Sequence, residues 1–157
     1  MDRKLKIALG ADHAGFPLKE TIRGYLLSKG YEVEDHGASS AQSVDYPDFA
    51  ERVAKRVASG SADSGVLICG TGLGMELAAN KVSGIRATPC NDTLSAQFAR
   101  SHNNANVLTL GARLVDEATA RKILDVWFST AFEGGRHERR IEKIAAIDQR
   151  EHRERKP

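Results

Sequence analysis

The sequence has too little of several residue types for some classes of protein. Its two cysteines, Cys69 and Cys90, cannot supply a disulfide framework, and no pair of histidines shows the spacing of a metal site. No apolar run approaches the roughly 20 residues of a transmembrane helix, and no charged-then-apolar leader opens the chain. These absences favour a protein of the reducing cytoplasm, without a bound metal and without a membrane partner.

Excess charge of one sign is also missing. The 157 residues carry 23 lysines and arginines against 21 acidic residues, a net charge of +2. The surplus is confined to 136–157, and the nearly neutral remainder argues against a nucleic-acid binder. With 41% hydrophobic residues, this length suits one soluble globular domain, 1–157, in which we expect the end from about 150 to fray.

Five apolar segments alternate with helical patterns and short connections. The segments are 5–9, 31–35, 65–69, 85–88 and 106–110. Strands that are apolar on both faces are typical of a parallel sheet covered by helices on both sides. The sequence therefore predicts an α/β fold: a single doubly wound, Rossmann-like sheet of five parallel strands, with helices on both faces and a C-terminal helix over about 136–150.

Polar residues gather where these strands end, which is where doubly wound sheets bind ligands. The first strand ends at Asp12 and His13, and the fifth leaves through Arg113. We also place His102 and Asn103, which lead into the fifth strand, on this rim. His102 has a structural alternative, because a helix should end there and the side chain could simply cap it.

A glycine-rich segment, Cys69-Gly70-Thr71-Gly72-Leu73-Gly74, follows the third strand. Its spacing differs from the dinucleotide fingerprint, and no lysine follows as in a P-loop. Three glycines let the backbone approach a ligand, and their N–H groups form a nest for an anionic oxygen. Those dipoles should stabilise a Cys69 thiolate as base or nucleophile. The alternative is a tight turn beside a buried cysteine.

Two arginines lie one turn apart on the predicted C-terminal helix. Arg136 and Arg140 share a face there, with His137 beside them. Like charges in this arrangement repel, so an anion would stabilise them, and arginine can bind a phosphate through two hydrogen bonds. The alternative is a solvated basic face that Glu138 and Glu142 neutralise.

The same motifs, in this order along the chain, identify a family. The segments that carry the resemblance are 12–16, 45–47, 69–74, 78–81, 84–87, 102–103, 106–108, 111–113 and 133–137. Over residues 4 to 150 the chain resembles type B ribose 5-phosphate isomerase, in the family shared with the galactose 6-phosphate isomerase subunits. The resemblance implies a cofactor-free aldose–ketose isomerase of the pentose phosphate pathway that works through an enediol(ate).

The resemblance also implies roles for single residues. Cys69 matches the base, His102 matches the residue that assists ring opening with Asp12 nearby, and Thr71 could relay a hydroxyl proton. The residues that match substrate contacts or the oxyanion-binding loop are His13, Tyr46, Gly70, Gly72, Leu73, Gly74, Asn103, Arg113, Arg136, His137 and Arg140. Some members use a glutamate beyond the loop as base, but Met75 rather than Glu76 occupies its place here.

Members of the family are homodimers whose subunits both contribute to each site, and some pair further into tetramers. The galactose enzyme divides its catalytic residues between two different subunits, whereas this chain holds Cys69, Thr71 and His102 together. That favours a homodimer acting on the sugar phosphate ribose 5-phosphate. The alternatives are an isomerase of galactose 6-phosphate, allose 6-phosphate or a tetrose phosphate, a non-catalytic sugar-phosphate sensor, and a redox protein that uses both cysteines.

Overall fold

The computed structural model describes residues 2–154 as one parallel sheet between two layers of helices. The strands are β1 (Lys6–Ala11), β2 (Glu32–Asp35), β3 (Ser64–Cys69), β4 (Ala87–Pro89) and β5 (Val107–Gly111). The helices are α1 (Phe16–Ser28), α2 (Tyr46–Ala58), α3 (Leu73–Ala79), α4 (Thr93–Ser101), α5 (Glu117–Ser129) and α6 (Arg136–Glu154). The predicted fold, with five parallel strands and a C-terminal helix, is confirmed.

The strand order β2-β1-β3-β5-β4 determines where a ligand can enter. All neighbouring strands are parallel. The chain moves outward from β1 to β2 and then returns past β1 to β3, so the direction of winding reverses between β1 and β3. At such a reversal the connecting helices leave on opposite faces and open a crevice at the carboxyl ends of the two strands.

Two hydrophobic cores lie on the two faces of the sheet. Buried residues of α1, α4 and α5 pack against one face, which includes Leu9, Ile68 and Leu110. Those of α2 and α3 pack against the other, which includes Ala8 and Leu67. Because successive side chains of a strand point to opposite faces, both sets must be apolar, and this explains why the strands read as continuous apolar runs.

The C-terminal helix is longer than the sequence predicts. It continues from Arg136 to Glu154, beyond the expected end near 150, while 155–157 lie outside the described residues. Two contacts to the segment after α3 hold its second half. Asp148 accepts the Gly84 N–H at 2.7 Å, and a His152 ring nitrogen lies 3.1 Å from the Lys81 carbonyl oxygen. These contacts stabilise the helix over 150–154, where the charged composition alone had predicted a frayed end.

Candidate active site

Two loops meet at the carboxyl edge of the sheet, where the winding reverses between β1 and β3. The first begins with buried Asp12, whose carboxylate accepts the Gly15 N–H at 3.0 Å and whose own N–H donates to the Ile68 carbonyl at 3.2 Å. A Cβ on Gly15 would lie 2.3 Å from that carbonyl oxygen, so only glycine allows this approach. The first loop is therefore fastened to β3 one residue before Cys69.

The loop after β3 folds back over Cys69, which is only 5% exposed. The Gly72 N–H donates to Cys69 Sγ at 3.1 Å, and Gly72 reaches this position with a left-handed φ of 79°. The Leu73 N–H donates to Thr71 Oγ1 at 3.3 Å. Among the described residues no hydrogen bond links Glu76 to Cys69. An N–H donor on the sulfur stabilises its thiolate form, as a base or nucleophile requires.

His13 and Tyr46 flank the glycine loop on the side of β1. His13 Nδ1 accepts the Val44 N–H at 3.1 Å, which assigns the ring proton to Nε2. Tyr46, the first residue of α2, lies so close to Gly74 that a Cβ there would be 2.7 Å from ring carbons of the tyrosine. A donor nitrogen and a phenol ring thus border the loop, as substrate-binding side chains would.

The end of β5 closes the other side of the loop. A Cβ on Gly111 would lie 2.7 Å from the Thr71 backbone, so the two segments touch main chain to main chain. The Arg113 N–H donates to the Gly70 carbonyl at 3.0 Å. Its guanidinium lies beside Gly70, 3.3 Å from where a Cβ would stand. An exposed cation is therefore held next to the nest of backbone N–H groups, which favours an anionic ligand.

His102 lies at the opposite edge of the sheet from Cys69. It is the C-cap residue of α4, where its backbone N–H and not its side chain donates to the Phe98 carbonyl at 2.9 Å, and β5 begins only at Val107. Cys69 pairs with Gly111 at the far end of that strand, and four steps of about 3.3 Å put about 13 Å between its ends. The expectation that His102 and Asn103 share the carboxyl rim is wrong, because a helix that follows a parallel strand returns the chain to the amino edge.

A second cluster forms around His102. Its ring stacks between Phe98, at a centroid distance of 4.7 Å, and His137 of α6, at 4.2 Å with the two imidazole planes 13° apart. Glu133 Oε2 lies 3.8 Å from His102 Nε2 and 3.7 Å from His137 Nε2. Burial lowers the pKa of His137, and the positive charges of His102 and Arg136 lower it further. His137 is therefore favoured as a neutral ring at pH 7.

The predicted phosphate-binding arginines belong to this second cluster. Arg136 opens α6 and Arg140 follows one turn later, and both are exposed. Within residues 2–154, neither forms an ion pair with Glu138 or Glu142, so the alternative of a neutralised basic face has no support. The two guanidinium groups are left facing solvent at the start of the helix, where an anion would be stabilised.

The predicted site residues thus divide into two groups within one chain. The carboxyl-edge cluster surrounds Cys69 with Asp12, His13, Tyr46, Gly70, Thr71, Gly72, Leu73, Gly74 and Arg113. The amino-edge cluster surrounds His102 with Asn103, Arg136, His137 and Arg140. Sequence reasoning missed Phe98 and Glu133, although the four-residue spacing between Glu133 and His137 was a signal that the two could interact.

Cys90 lies too far from Cys69 for a redox pair. It follows β4, and β5 separates β4 from β3, so the two strands are about 10 Å apart. Burial raises the pKa of the Cys90 thiol, which keeps it protonated and unreactive. A redox protein would need the two cysteines on neighbouring strands. The strand order therefore argues against this alternative.

One group of described side chains could converge on a cation. His102, Glu133 and His137 each offer a ligand atom, and these atoms lie within 4.8 Å of one another. The stacked rings are nearly parallel, however, so binding by both nitrogens would require them to tilt. The neighbouring Arg136 and Arg140 add positive charge that disfavours a metal ion. The arrangement fits a charge-balanced pair of histidines better than a metal centre.

The comparison with known proteins decides the family. The model of the ribose/galactose isomerase family matches residues 7–144. The chain belongs to this family. It is 50% identical over 145 residues to ribose-5-phosphate isomerase B of Escherichia coli, covering 92% of this chain and 97% of that protein. It is 45% identical over 148 residues to D-erythrulose-4-phosphate isomerase of Pectobacterium atrosepticum, covering 94% and 97%.

A solved structure agrees with this membership. Ribose-5-phosphate isomerase B of Clostridium thermocellum is 49% identical and superposes with a TM-score of 0.92 over 93% of this chain and 99% of that one. The predicted family and the prediction of an aldose–ketose isomerase enzyme are confirmed. No helix formed by residues 2–154 is long and apolar enough to cross a membrane.

Proposed function

We propose that this member of the ribose/galactose isomerase family interconverts ribose 5-phosphate and ribulose 5-phosphate in the pentose phosphate pathway of the cytoplasm. The observation that carries the proposal is the buried Cys69 thiol, which receives the Gly72 N–H at 3.1 Å inside a loop of backbone donors. An aldose–ketose isomerase needs a base beside a site that stabilises an oxyanion, and this loop supplies both.

The Cys69 thiolate is the base that moves a proton between C2 and C1. It removes the C2 proton of the open-chain aldose, and the resulting enediolate carries negative charge on the former carbonyl oxygen. The N–H groups of 70–74 are the donors for that oxygen, and Thr71 relays the hydroxyl proton between the two oxygens. Cys69 then returns its proton to C1 to give the ketose, so no cofactor takes part.

Ring opening precedes this step for the furanose form of ribose 5-phosphate. In our proposal His102 gives a proton to the ring oxygen while the bond from C1 to that oxygen breaks. Asp12 accepts the proton of the C1 hydroxyl, so that an aldehyde forms. Since His102 and Cys69 lie at opposite edges of one chain, His102 must come from the partner subunit to reach the sugar bound at Cys69.

The same division separates the phosphate ligands. His13 and Arg113 lie in the carboxyl-edge cluster, whereas Arg136 and Arg140 lie in the amino-edge cluster. If two chains place these clusters face to face, the three arginines and the Nε2–H of His13 surround one phosphate group. His137, Tyr46 and Asn103 are proposed to contact the remainder of the substrate.

Exposed apolar side chains support a homodimer in which the two clusters meet. Leu73 and Leu77 of α3 are 52% and 64% exposed beside the carboxyl-edge cluster. Phe98 of α4 and Ile144 of α6 are 44% and 46% exposed beside the amino-edge cluster. A two-fold dimer that covers both surfaces would bury these side chains twice and complete two identical sites. Further pairing of such dimers into tetramers remains part of the proposal.

The size of the sugar is the least constrained part of the proposal. A relative of similar identity is named for a four-carbon sugar phosphate, erythrulose 4-phosphate. The segment 38–45, which carries Val44 and its contact to His13, borders the site and is the place where contacts for galactose, allose or tetrose phosphates would differ. A non-catalytic sensor would need the phosphate ligands but would have no use for a thiolate held by Gly72.

Turnover of a panel of aldose phosphates, without added metal, tests the proposal. Cys69→Ala should reduce interconversion of ribose 5-phosphate at least about 100-fold, as expected for loss of a positioned base. Cys90→Ala, which removes the other buried thiol, is the matched control and should retain activity. Full activity of Cys69→Ala refutes its role as base, and inhibition of the wild type by EDTA argues against the cofactor-free mechanism.

Labelling by iodoacetamide distinguishes the enzyme from a sensor. Rapid alkylation of Cys69, slowed by ribose 5-phosphate, is expected of a catalytic thiolate. Slow alkylation with intact ligand binding would favour the sensor.

A further inference from the structure

The three stacked rings of the amino-edge cluster fix the plane of His102. Phe98 covers one face of its imidazole at 4.7 Å and His137 covers the other at 4.2 Å. His137 is itself buried, so its ring provides a rigid support. Only the edge of His102 remains free to meet a substrate, which is the orientation that a proton donor needs.

This pair of imidazoles can hold one proton but not two. Two cationic rings stacked at 4.2 Å would repel each other strongly. Burial and the positive charges of His102 and Arg136 lower the pKa of His137, which leaves it neutral. Of the two rings, His102 is the one that can reach a ligand, because its side chain is 33% exposed against 10% for His137, and an acid that acts on a substrate must hold its proton there.

Arginines beside the stack oppose that proton. Arg136 and Arg140 of α6 raise the positive potential around His137. On α4, Arg100 is directed away, because its guanidinium donates to the Ala105 carbonyl and lies over Trp127. Without a negative group nearby, the arginines would favour a neutral His102, which could not act as an acid.

Glu133 is the group that balances these charges. Its Oε2 lies 3.8 Å from His102 Nε2 and 3.7 Å from His137 Nε2. Within residues 2–154 it is the only carboxylate that pairs with either ring. Its backbone N–H donates to the Ser101 carbonyl at 3.0 Å, which fixes the segment before α6 against the end of α4. The carboxylate thus lies within ion-pair distance of both nitrogens, although its side chain is 58% exposed.

We propose that Glu133 is a positioning residue that keeps the proton on His102 and directs its edge toward the sugar ring oxygen. The inference rests on the proposed function, in which His102 protonates that oxygen. When His102 gives up its proton, the ring oxygen leaves C1 with the bonding electron pair and becomes a hydroxyl. Glu133 then attracts the next proton to His102, which restores the acid for another turnover.

The substitution Glu133→Gln tests this role because it removes the charge and keeps the shape. Turnover of ribose 5-phosphate at pH 8 should fall about tenfold, less than the loss expected for removing the acid itself. The basic limb of the pH–rate profile should move to lower pH, because an imidazolium without its counter-charge releases its proton more easily. KM should change little, and Glu133→Asp should restore the wild-type shape of the profile.

A second substrate separates ring opening from proton transfer. Ribulose 5-phosphate cannot close to a furanose, because phosphate occupies its C5 oxygen. Exchange of its C1 hydrogen with D₂O therefore reports the Cys69 step without ring opening, and Glu133→Gln should leave that exchange unchanged. The matched control is Glu138→Gln, which removes an exposed carboxylate of α6 and should affect neither assay. Equal losses in both assays would show a merely structural role and overturn the proposal.

A measurement without turnover keeps the two proposals distinguishable. NMR titration of the histidine rings should show that His102 loses its proton at lower pH in Glu133→Gln than in the wild type. The ring of His137, whose pKa burial lowers, should lose its proton below the usual range of a histidine in both proteins. If no aldose phosphate is turned over, the proposed function fails, yet this titration still tests Glu133. An unchanged His102 titration would refute the inference.

Discussion

Mixing two inactive variants should restore activity. Cys69→Ala removes the proposed base from the carboxyl-edge cluster, and His102→Ala removes the proposed acid from the amino-edge cluster. Because the ends of β5 that separate these residues are about 13 Å apart, we expect each reaction to use Cys69 of one chain and His102 of the other. A mixed dimer then contains one site with both residues intact and one site with neither.

The size of the recovery follows from this geometry. Random pairing of equal amounts of the two variants makes about half of the dimers mixed. One of the two sites in each mixed dimer is complete, so the mixture should reach about a quarter of the wild-type activity per chain. If both residues acted within one chain, no combination would contain a complete site, and the mixture would stay as inactive as its components.

Refolding the two variants together and measuring conversion of ribose 5-phosphate would decide between these outcomes. Cys69→Ala mixed with Asp12→Asn is the matched control, because both changes lie in the carboxyl-edge cluster and no pairing brings the intact residues together. Recovery in the first mixture and none in the second is the expected result. Lack of recovery in the first, with dimers shown to exchange, would refute the division of the site between subunits.

Three further results are expected. Gly74→Ala should raise KM and lower the free energy of unfolding only slightly, because the new Cβ would lie 2.7 Å from the ring of Tyr46. Steady-state kinetics and urea unfolding measure the two effects, and an unchanged KM would contradict the prediction. Asp35→Asn should cost about 3 kcal/mol in urea unfolding, because it leaves a fully buried ammonium without its main partner, and a loss well below that would show that the pair is dispensable. Hydrogen bonding by Arg56 lowers the pKa of Glu34 from 4.5 to about 2, so this group stabilises the fold above pH 4.5 and loses that contribution as the pH falls toward 2. Arg56→Met should weaken this acid sensitivity of the urea midpoint, and an equally steep decline would contradict it.

The fold could be predicted because its determinants are local. Apolar runs that end in glycine, prolines in the first turns of α1 and α2, and the acidic cap of α4 each mark an element within a few residues. The order of the strands could not be predicted in the same way, because no short sequence pattern indicates that β5 lies between β3 and β4. That insertion is what separates Cys90 from Cys69.

The roles of the predicted site residues stay predictions, and their arrangement in two separate clusters was not predicted. The glycine-rich segment 70–74 predicts the carboxyl-edge cluster, because three glycines after an apolar strand are typical of a loop whose backbone approaches a ligand. His102 was expected beside Cys69 because both lie next to a strand. His102, however, precedes β5 and so lies at its amino end, whereas Cys69 lies at the carboxyl end of β3. Glu133 was missed because its role depends on a contact to His102, 31 positions earlier in the chain, which no short-range pattern encodes.

The placement of the two clusters on opposite edges also has an evolutionary consequence. In the proposed homodimer, a duplicated gene could lose Cys69 in one copy and His102 in the other, and the mixed dimer would still hold one working site. Each copy would then depend on the other, and neither could be lost. Division of labour between paralogues thus requires only two inactivating substitutions, with no new catalytic residue and no change of fold.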